Sequence, residues 1–122
     1  MTDFSAPTPI LRSFSEEAAR AFYVDFLGFD VLFEHRFDAT APLYLGLRRG
    51  ACDVHLSEHH GDATPGSAIR IHVDDVDELC AKLNAKAYPK ARPGVTQQPW
   101  GNREMTVLDP AGNRLTFWTP ID

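Results

Sequence analysis

The residues best equipped for chemistry lie in one short segment, His55-Leu56-Ser57-Glu58-His59-His60-Gly61-Asp62. Imidazole and carboxylate groups at this density are typical of metal sites and of acid–base catalysis. On a β-strand, His55, Ser57 and His59 share one face. The segment therefore predicts a metal site or a polar ligand-binding patch. The alternative is a solvent-facing strand that runs into a polar loop over residues 59–65.

A second stretch places polar side chains on one face of a strand. Arg70 and His72 alternate with aliphatic residues over 68–73, which is the pattern of a half-buried strand. The last strand is predicted to present Trp118 in the same way. If the aliphatic faces pack against helices, these three side chains and His55 line a groove.

Covalent catalysis finds little support in the sequence. It contains no Gly-x-Ser-x-Gly segment, phosphate-binding loop or dinucleotide fingerprint. Cys52 falls on the strand face opposite His55, and Cys80 belongs to the apolar stripe of a predicted helix. Two cysteines this far apart give neither a zinc motif nor a disulfide framework, which fits a reducing cytoplasm.

Two amphipathic helices stand out. Ser15 is placed to cap the first helix, and Gly28 suits its left-handed end. The second helix begins at Asp75, with Glu78 as its capping-box partner. Both helices carry apolar residues at helical spacing, so each is expected to cover one face of a sheet.

The remaining segments are predicted as strands, and their order repeats. The strands span 8–13, 29–37, 43–48, 52–58, 68–73, 104–108 and 114–118, with a loose stretch over 88–101. Laid on each other with an offset of about sixty residues, the halves match Thr8 to Ala68 and His55 to Thr116. This predicts an α+β fold of two βαβββ modules, about 6–60 and 66–120, within one domain over 1–122. Their strands would form a curved mixed sheet with helices outside and a concave groove.

The net charge indicates which classes of partner to expect. With a net charge of −5 over 122 residues, a nucleic acid is an unexpected partner and a small cationic molecule a more suitable one. No apolar run is long enough to span a bilayer, and the first residues lack the pattern of a secretory signal. A cytoplasmic protein with no membrane partner is expected.

Three short motifs resemble those of known proteins. The aromatic pair Phe22-Tyr23 with Leu27-Gly28-Phe29, and the turn Asp109-Pro110-Ala111-Gly112-Asn113, resemble the signature of the vicinal oxygen chelate superfamily. The segment Gln98-Pro99-Trp100-Gly101, followed by Arg103-Glu104, is similar to the C-terminal half of the bleomycin-resistance proteins. The resemblance covers nearly the whole chain and implies a glyoxalase/bleomycin-resistance fold.

The resemblance also bears on metal binding. Enzymes of this superfamily usually hold a divalent metal at four inward-facing strand positions, which here are Thr8, His55, Ala68 and Thr116. Only His55 would bind a transition metal well, and about three good ligands are needed. The usual metal is therefore not expected, and no other cofactor is predicted. An alternative is a lyase or ring-cleaving dioxygenase with a displaced site at His55, His59 and His72.

Bleomycin-resistance proteins are homodimers that sequester a drug in interface grooves without altering it, and the resemblance implies the same here. A planar cationic ligand would stack on aromatic rings near carboxylates such as Glu34 and Asp38. Pro7 and Pro9 suit an edge strand or an exchanged N-terminal arm. A further alternative is a binder of an unknown metabolite. The predicted ligand-binding residues are Phe33, Phe37, Tyr44, His55, Arg70, His72, Trp100 and Trp118.

Overall fold

A computed structural model describes residues 2–121. The eight strands are β1 (Ile10–Arg12), β2 (Asp30–His35), β3 (Tyr44–Arg49), β4 (Cys52–Ser57), β5 (Ala68–His72), β6 (Val95–Gln97), β7 (Asn102–Leu108) and β8 (Arg114–Pro120). The helices are α1 (Glu16–Arg20), which continues as a π-helix over Ala21–Phe26, and α2 (Val76–Ala85).

The strands form two four-stranded mixed sheets of identical design. The first has the order β1-β4-β3-β2 and the second β5-β8-β7-β6, each with one parallel pair at its edge. Ile10 lies opposite His55 in the first sheet, and Arg70 lies opposite Thr116 in the second. The predicted α+β fold of two βαβββ modules is therefore confirmed, with one sheet in each module.

The predicted helix caps form as expected. The Ser15 side chain accepts a hydrogen bond from the backbone N–H of Ala18 at 3.2 Å, and Asp75 accepts one from the N–H of Glu78 at 3.0 Å. Each satisfies a backbone donor that would otherwise lack a partner in the first turn. Gly28 follows the first helix with a φ of +79°, a conformation that glycine adopts at little cost.

One hydrophobic core joins the two modules. Apolar residues from both sheets and both helices belong to a single buried cluster, with Phe22 of the first helix fully buried. The hydroxyl of Tyr23 donates to Asp109 Oδ2 at 2.6 Å, and Asn113 Nδ2 donates to the same oxygen at 2.8 Å and to the carbonyl of Arg12 at 2.9 Å. The Asp-Pro-Ala-Gly-Asn segment is thus a polar link between modules as well as a turn.

The strands differ from the sequence-based prediction mostly by one or two residues at their ends, and three differences matter for the site. β1 begins at Ile10, so Thr8 lies before the strand, and Pro9 has no N–H with which to extend the ladder. β2 ends at His35, which leaves Phe37 beyond it. β6 lies in the stretch predicted to be loose. None of the helices within residues 2–121 has the length and apolar character needed to cross a membrane.

Candidate functional site

Each sheet buries one face and leaves the other open. In the first sheet Leu45, Leu47, Val54 and Leu56 point into the core. Because side chains alternate along a strand, the residues between them point to the opposite face. The second sheet repeats this arrangement, and we call these uncovered surfaces the two open faces.

An aromatic cluster occupies the first open face. The rings of Phe33 and Tyr44 lie nearly parallel, 6.2 Å apart, and that of His55 meets them edge-on at 5.2 and 5.3 Å. Tyr44 Oη lies 2.8 Å from His55 Nδ1. Partial burial, followed by the charge of Asp62, raises the pKa of Tyr44. When Tyr44 donates this hydrogen bond, the proton of neutral His55 lies on Nε2.

Gly46 lies beneath this cluster. A Cβ atom at this position would come within 2.2 Å of Phe33 Cε2, so the ring fills the space that any other residue would need. A glycine inside a strand often marks such a close approach. The alternation pattern alone did not identify Gly46 as a site residue.

At the end of this face, Phe37 and His59 lie beyond the strands that were predicted to carry them. Phe37 is 79% exposed, and its ring contacts those of His35 at 4.9 Å and His59 at 5.9 Å. β4 ends at Ser57, so His59 does not continue the strand face that carries His55. The backbone carbonyl of His59 accepts a hydrogen bond from Arg12.

The second open face carries the other four predicted residues. The rings of His72 and Trp118 are 4.8 Å apart, and Arg70 Cζ lies 5.9 Å from the Trp118 ring centroid. Arg70 Nη2 also forms an ion pair with Glu104 Oε2 at 2.6 Å. The same oxygen accepts a hydrogen bond from Trp100 Nε1 at 2.8 Å. Glu104 therefore connects the two ends of this cluster.

The carboxylates of both faces are engaged with protein donors. Hydrogen bonds from Arg70 and then from Trp100 lower the pKa of Glu104 to about 2. At the end of the first face Asp53 is held by Arg48 at 2.6 Å, and that hydrogen bond lowers the pKa of Asp53. The two carboxylates expected near the ligand are also engaged, since Glu34 pairs with Arg20 and Asp38 accepts from Thr40.

The residues considered for a metal lie apart. His55 and His72 belong to different sheets, and the Thr116 hydroxyl is hydrogen-bonded to that of Thr106 at 2.9 Å. Within residues 2–121 no three His, Cys, Asp or Glu side chains are grouped so that they could hold a metal ion. The displaced site at His55, His59 and His72 is thus not assembled in the described chain.

The eight predicted ligand-binding residues form two groups. Phe33, Tyr44 and His55 lie on the first sheet with Phe37 just beyond β2, and Arg70, His72 and Trp118 lie on the second sheet with Trp100 in the turn before β7. Glu104 was quoted within a motif but not predicted as a site residue. A cavity of about 590 Å³ lies elsewhere, between Arg12, Phe14 and the loop 60–67, and none of the eight residues lines it.

Comparisons with known proteins agree with this fold. The sequence profile of a family described as "Glyoxalase superfamily protein" matches residues 2–122. No curated protein matches the chain by sequence. A bleomycin-binding protein from bleomycin-producing Streptomyces verticillus, in complex with copper(II)-bleomycin, is 34% identical, covers 96% of this chain and 97% of its own, and has a TM-score of 0.70.

More distant structures share the fold. TnmS3, an antibiotic-binding protein from Streptomyces sp. CB03234, is 23% identical with a TM-score of 0.72 and covers 98% of this chain and 99% of its own. A lactoylglutathione lyase from Agrobacterium tumefaciens is 21% identical with a TM-score of 0.71 and covers 96% of this chain and 95% of its own. The same architecture therefore serves both binding proteins and an enzyme.

Proposed function

The chain belongs to the glyoxalase superfamily, and we propose that it acts as a dimeric binding protein that sequesters a small cationic, partly aromatic ligand without changing it. The observation that carries this proposal is the exposure of aromatic rings on faces that the helices leave uncovered. Phe33 is 40% exposed and Trp100 63% exposed. Several exposed aromatic rings close together on one surface are typical of ligand-binding sites.

Stacking is the main attraction that these faces offer. Glu104 and Asp53 are already paired with arginines, so they contribute little free negative charge at contact distance. The net charge of −5 acts at longer range and draws cations toward the protein. We therefore propose a ligand with a flat aromatic portion, which stacks, and a cationic portion, which is attracted by the overall field.

The likeness to the Streptomyces verticillus protein favours copper-bound bleomycin as the first ligand to test. That protein binds copper(II)-bleomycin and is 34% identical to this chain. We propose that this chain acts in the cytoplasm, where its two free cysteines would stay reduced.

Sequestration is distinguished from catalysis by recovering the ligand. Protein incubated with copper-bound bleomycin is passed through a desalting column, denatured, and the released drug is analysed by mass spectrometry. We expect about one drug per chain, with its mass unchanged. A changed mass would mean catalysis, and no retained drug would direct the search to other metabolites.

A second chain is proposed to complete the groove. The accessible surface is 7591 Å², whereas a compact monomer of this size exposes about 6,600 Å². The surplus includes the open faces and the N-terminal residues 2–8, which are exposed and have no secondary structure. A standard interface buries roughly 800 Å² on each partner, and the open faces are the surfaces that we propose supply it.

The edge of the first sheet is suited to such an interface. β1 is an edge strand, and the carbonyl of Pro9, just before it, accepts a hydrogen bond from the N–H of His55 at 3.0 Å. This hydrogen bond holds Pro9 beside β4, so the arm over residues 2–8 begins at the edge strand of the first sheet. Sedimentation at micromolar concentration is expected to give a mass of two chains, and a single-chain mass would contradict the dimer.

A further inference from the structure

Glu104 is a buried carboxylate in the middle of an otherwise open surface. Its side chain is 6% exposed, and it receives donors from three sides: Arg70 at 2.6 and 3.2 Å, Trp100 at 2.8 Å and Asn102 at 3.3 Å. A buried carboxylate is costly unless such donors satisfy it. Its position therefore requires these side chains to adopt defined orientations.

Trp100 combines a fixed backbone with an exposed side chain. It lies in the turn between β6 and β7, where Gly101 has a φ of +94° and donates to the carbonyl of Gln98 at 3.1 Å. These contacts fix the backbone but leave the indole more than half exposed. An exposed side chain of this kind normally populates several rotamers. The charge-assisted hydrogen bond from Nε1 to Glu104 selects one orientation.

On the opposite face of β7, the neighbouring residue Arg103 also forms an ion pair. Arg103 donates to Asp77 of α2 at 2.7 and 2.8 Å, with both side chains well exposed to solvent. That pair attaches β7 to α2 and touches no aromatic ring of the open faces. An ion pair whose only role is to attach β7 to a helix can therefore lie at the surface and does not require a buried carboxylate. The additional feature of Glu104 is that it connects an arginine and an exposed tryptophan across the open face.

We propose that Glu104 is a positioning residue, which holds the Trp100 indole and the Arg70 guanidinium in place so that the second open face is preformed before a ligand arrives. The part that concerns ligand binding rests on the proposed function. A preformed surface binds more tightly because its side chains lose less freedom on association. Glu104 acts through its neighbours and need not touch the ligand.

The first test needs no ligand. In a Trp118→Phe background Trp100 is the sole tryptophan, so its fluorescence anisotropy and acrylamide quenching report on one indole. Glu104→Ala removes both the charge and the acceptor, and we expect lower anisotropy and faster quenching. Glu104→Gln keeps a carbonyl acceptor for Nε1, so it is expected to restore part of the anisotropy. Asp77→Asn, which weakens the ion pair on the opposite face, is the matched control and is expected to match the parent.

The second test uses copper-bound bleomycin and the native tryptophans. We expect Glu104→Gln to weaken binding by roughly 10-fold, with Asp77→Asn unchanged. Trp100→Phe removes the N–H but keeps an aromatic ring. If Glu104 acts through this donor, the losses caused by Glu104→Gln and Trp100→Phe are not additive in the double variant.

The positioning role of Glu104 and the proposed ligand can each be contradicted independently of the other. Unchanged anisotropy and quenching in both Glu104 variants would overturn the positioning role, whether or not the protein binds copper-bound bleomycin. Lower anisotropy in a protein that binds no bleomycin would support the positioning of the indole and contradict the proposed ligand. If Glu104→Ala fails to fold by circular dichroism, Glu104→Met takes its place, because it keeps the length of the side chain and removes the carboxylate acceptor.

Discussion

The phenyl ring of Phe33 occupies the space above Gly46 in which any other residue would carry its Cβ atom. The two residues lie opposite each other on β2 and β3, and an added Cβ would meet three ring atoms at 2.2 to 2.6 Å. Carbon atoms do not approach this closely without a clash. The Phe33 ring can therefore take this position on the first open face only because residue 46 is a glycine.

Gly46→Ala is therefore expected to displace Phe33. We predict a loss of about 1–3 kcal/mol in the free energy of unfolding, as for other overpacked sites, together with weaker binding of copper-bound bleomycin. Urea unfolding and calorimetry measure the two effects. Gly94→Ala is the matched control, since no atom of residues 2–121 lies within 4 Å of its added Cβ. Equal results for both variants would contradict the proposed packing.

Phe22→Ala tests the core that carries the open faces. Phe22 is fully buried, and its ring contacts those of Tyr23, Phe26 and Tyr88 at 4.9 to 6.0 Å. We expect a loss of about 3–5 kcal/mol in the free energy of unfolding, because the substitution leaves a cavity. Phe4→Ala, at a side chain that is 99% exposed, is expected to change it by less than about 0.5 kcal/mol.

Tyr23→Phe tests the polar link between the modules. Burial, and then the nearby Asp109 carboxylate, raise the pKa of Tyr23, so its hydroxyl stays protonated and donates to Asp109. Removal of this donor leaves the carboxylate incompletely satisfied, and we predict a loss of about 1–3 kcal/mol in urea unfolding. Tyr88→Phe keeps the ring that stacks on Phe26 at 4.6 Å and is the control. A similar small effect in both variants would argue against the link.

Acid unfolding tests the environment of Glu104. Its pKa falls from 4.5 to about 2 in the folded chain, so the folded state holds the ionised form more tightly than the unfolded state. The resulting stabilisation is complete above pH 4.5 and disappears as the pH falls toward 2. We predict that the Tm difference between the parent and Glu104→Gln narrows over this interval. A difference that stays constant with pH would contradict the lowered pKa.

The features that the sequence predicted are those carried by local signals. Ser15 and Asp75 cap helices through contacts with residues three positions away, and the alternation around Arg70 follows from the geometry of one strand. β6 was missed because it is three residues long and is defined by its pairing with β7. Its neighbours Pro93 and Gly94 favour a loop in the sequence.

The relationships within the open faces were harder to predict. Glu104 becomes central only because the fold brings Arg70 from another strand and Trp100 from a turn to the same carboxylate. Gly46 likewise acquires its role through the register of β2 against β3. Such contacts depend on tertiary pairing, whereas the residue types that line the faces follow from strand periodicity.

The central claim, that exposed rings on the open faces bind a ligand, is tested most directly by isothermal titration. The wild-type protein and Trp100→Ala are titrated in parallel with metal-free and copper-bound bleomycin, and their melting temperatures are compared. We predict sub-micromolar binding near one drug per chain for the wild type. Trp100→Ala is expected to bind at least about 10-fold more weakly with only a modest loss of melting temperature, because its indole is exposed and Glu104 keeps Arg70 and Asn102 as donors. Equal affinities for the two proteins, or no binding by the wild type, would contradict the claim.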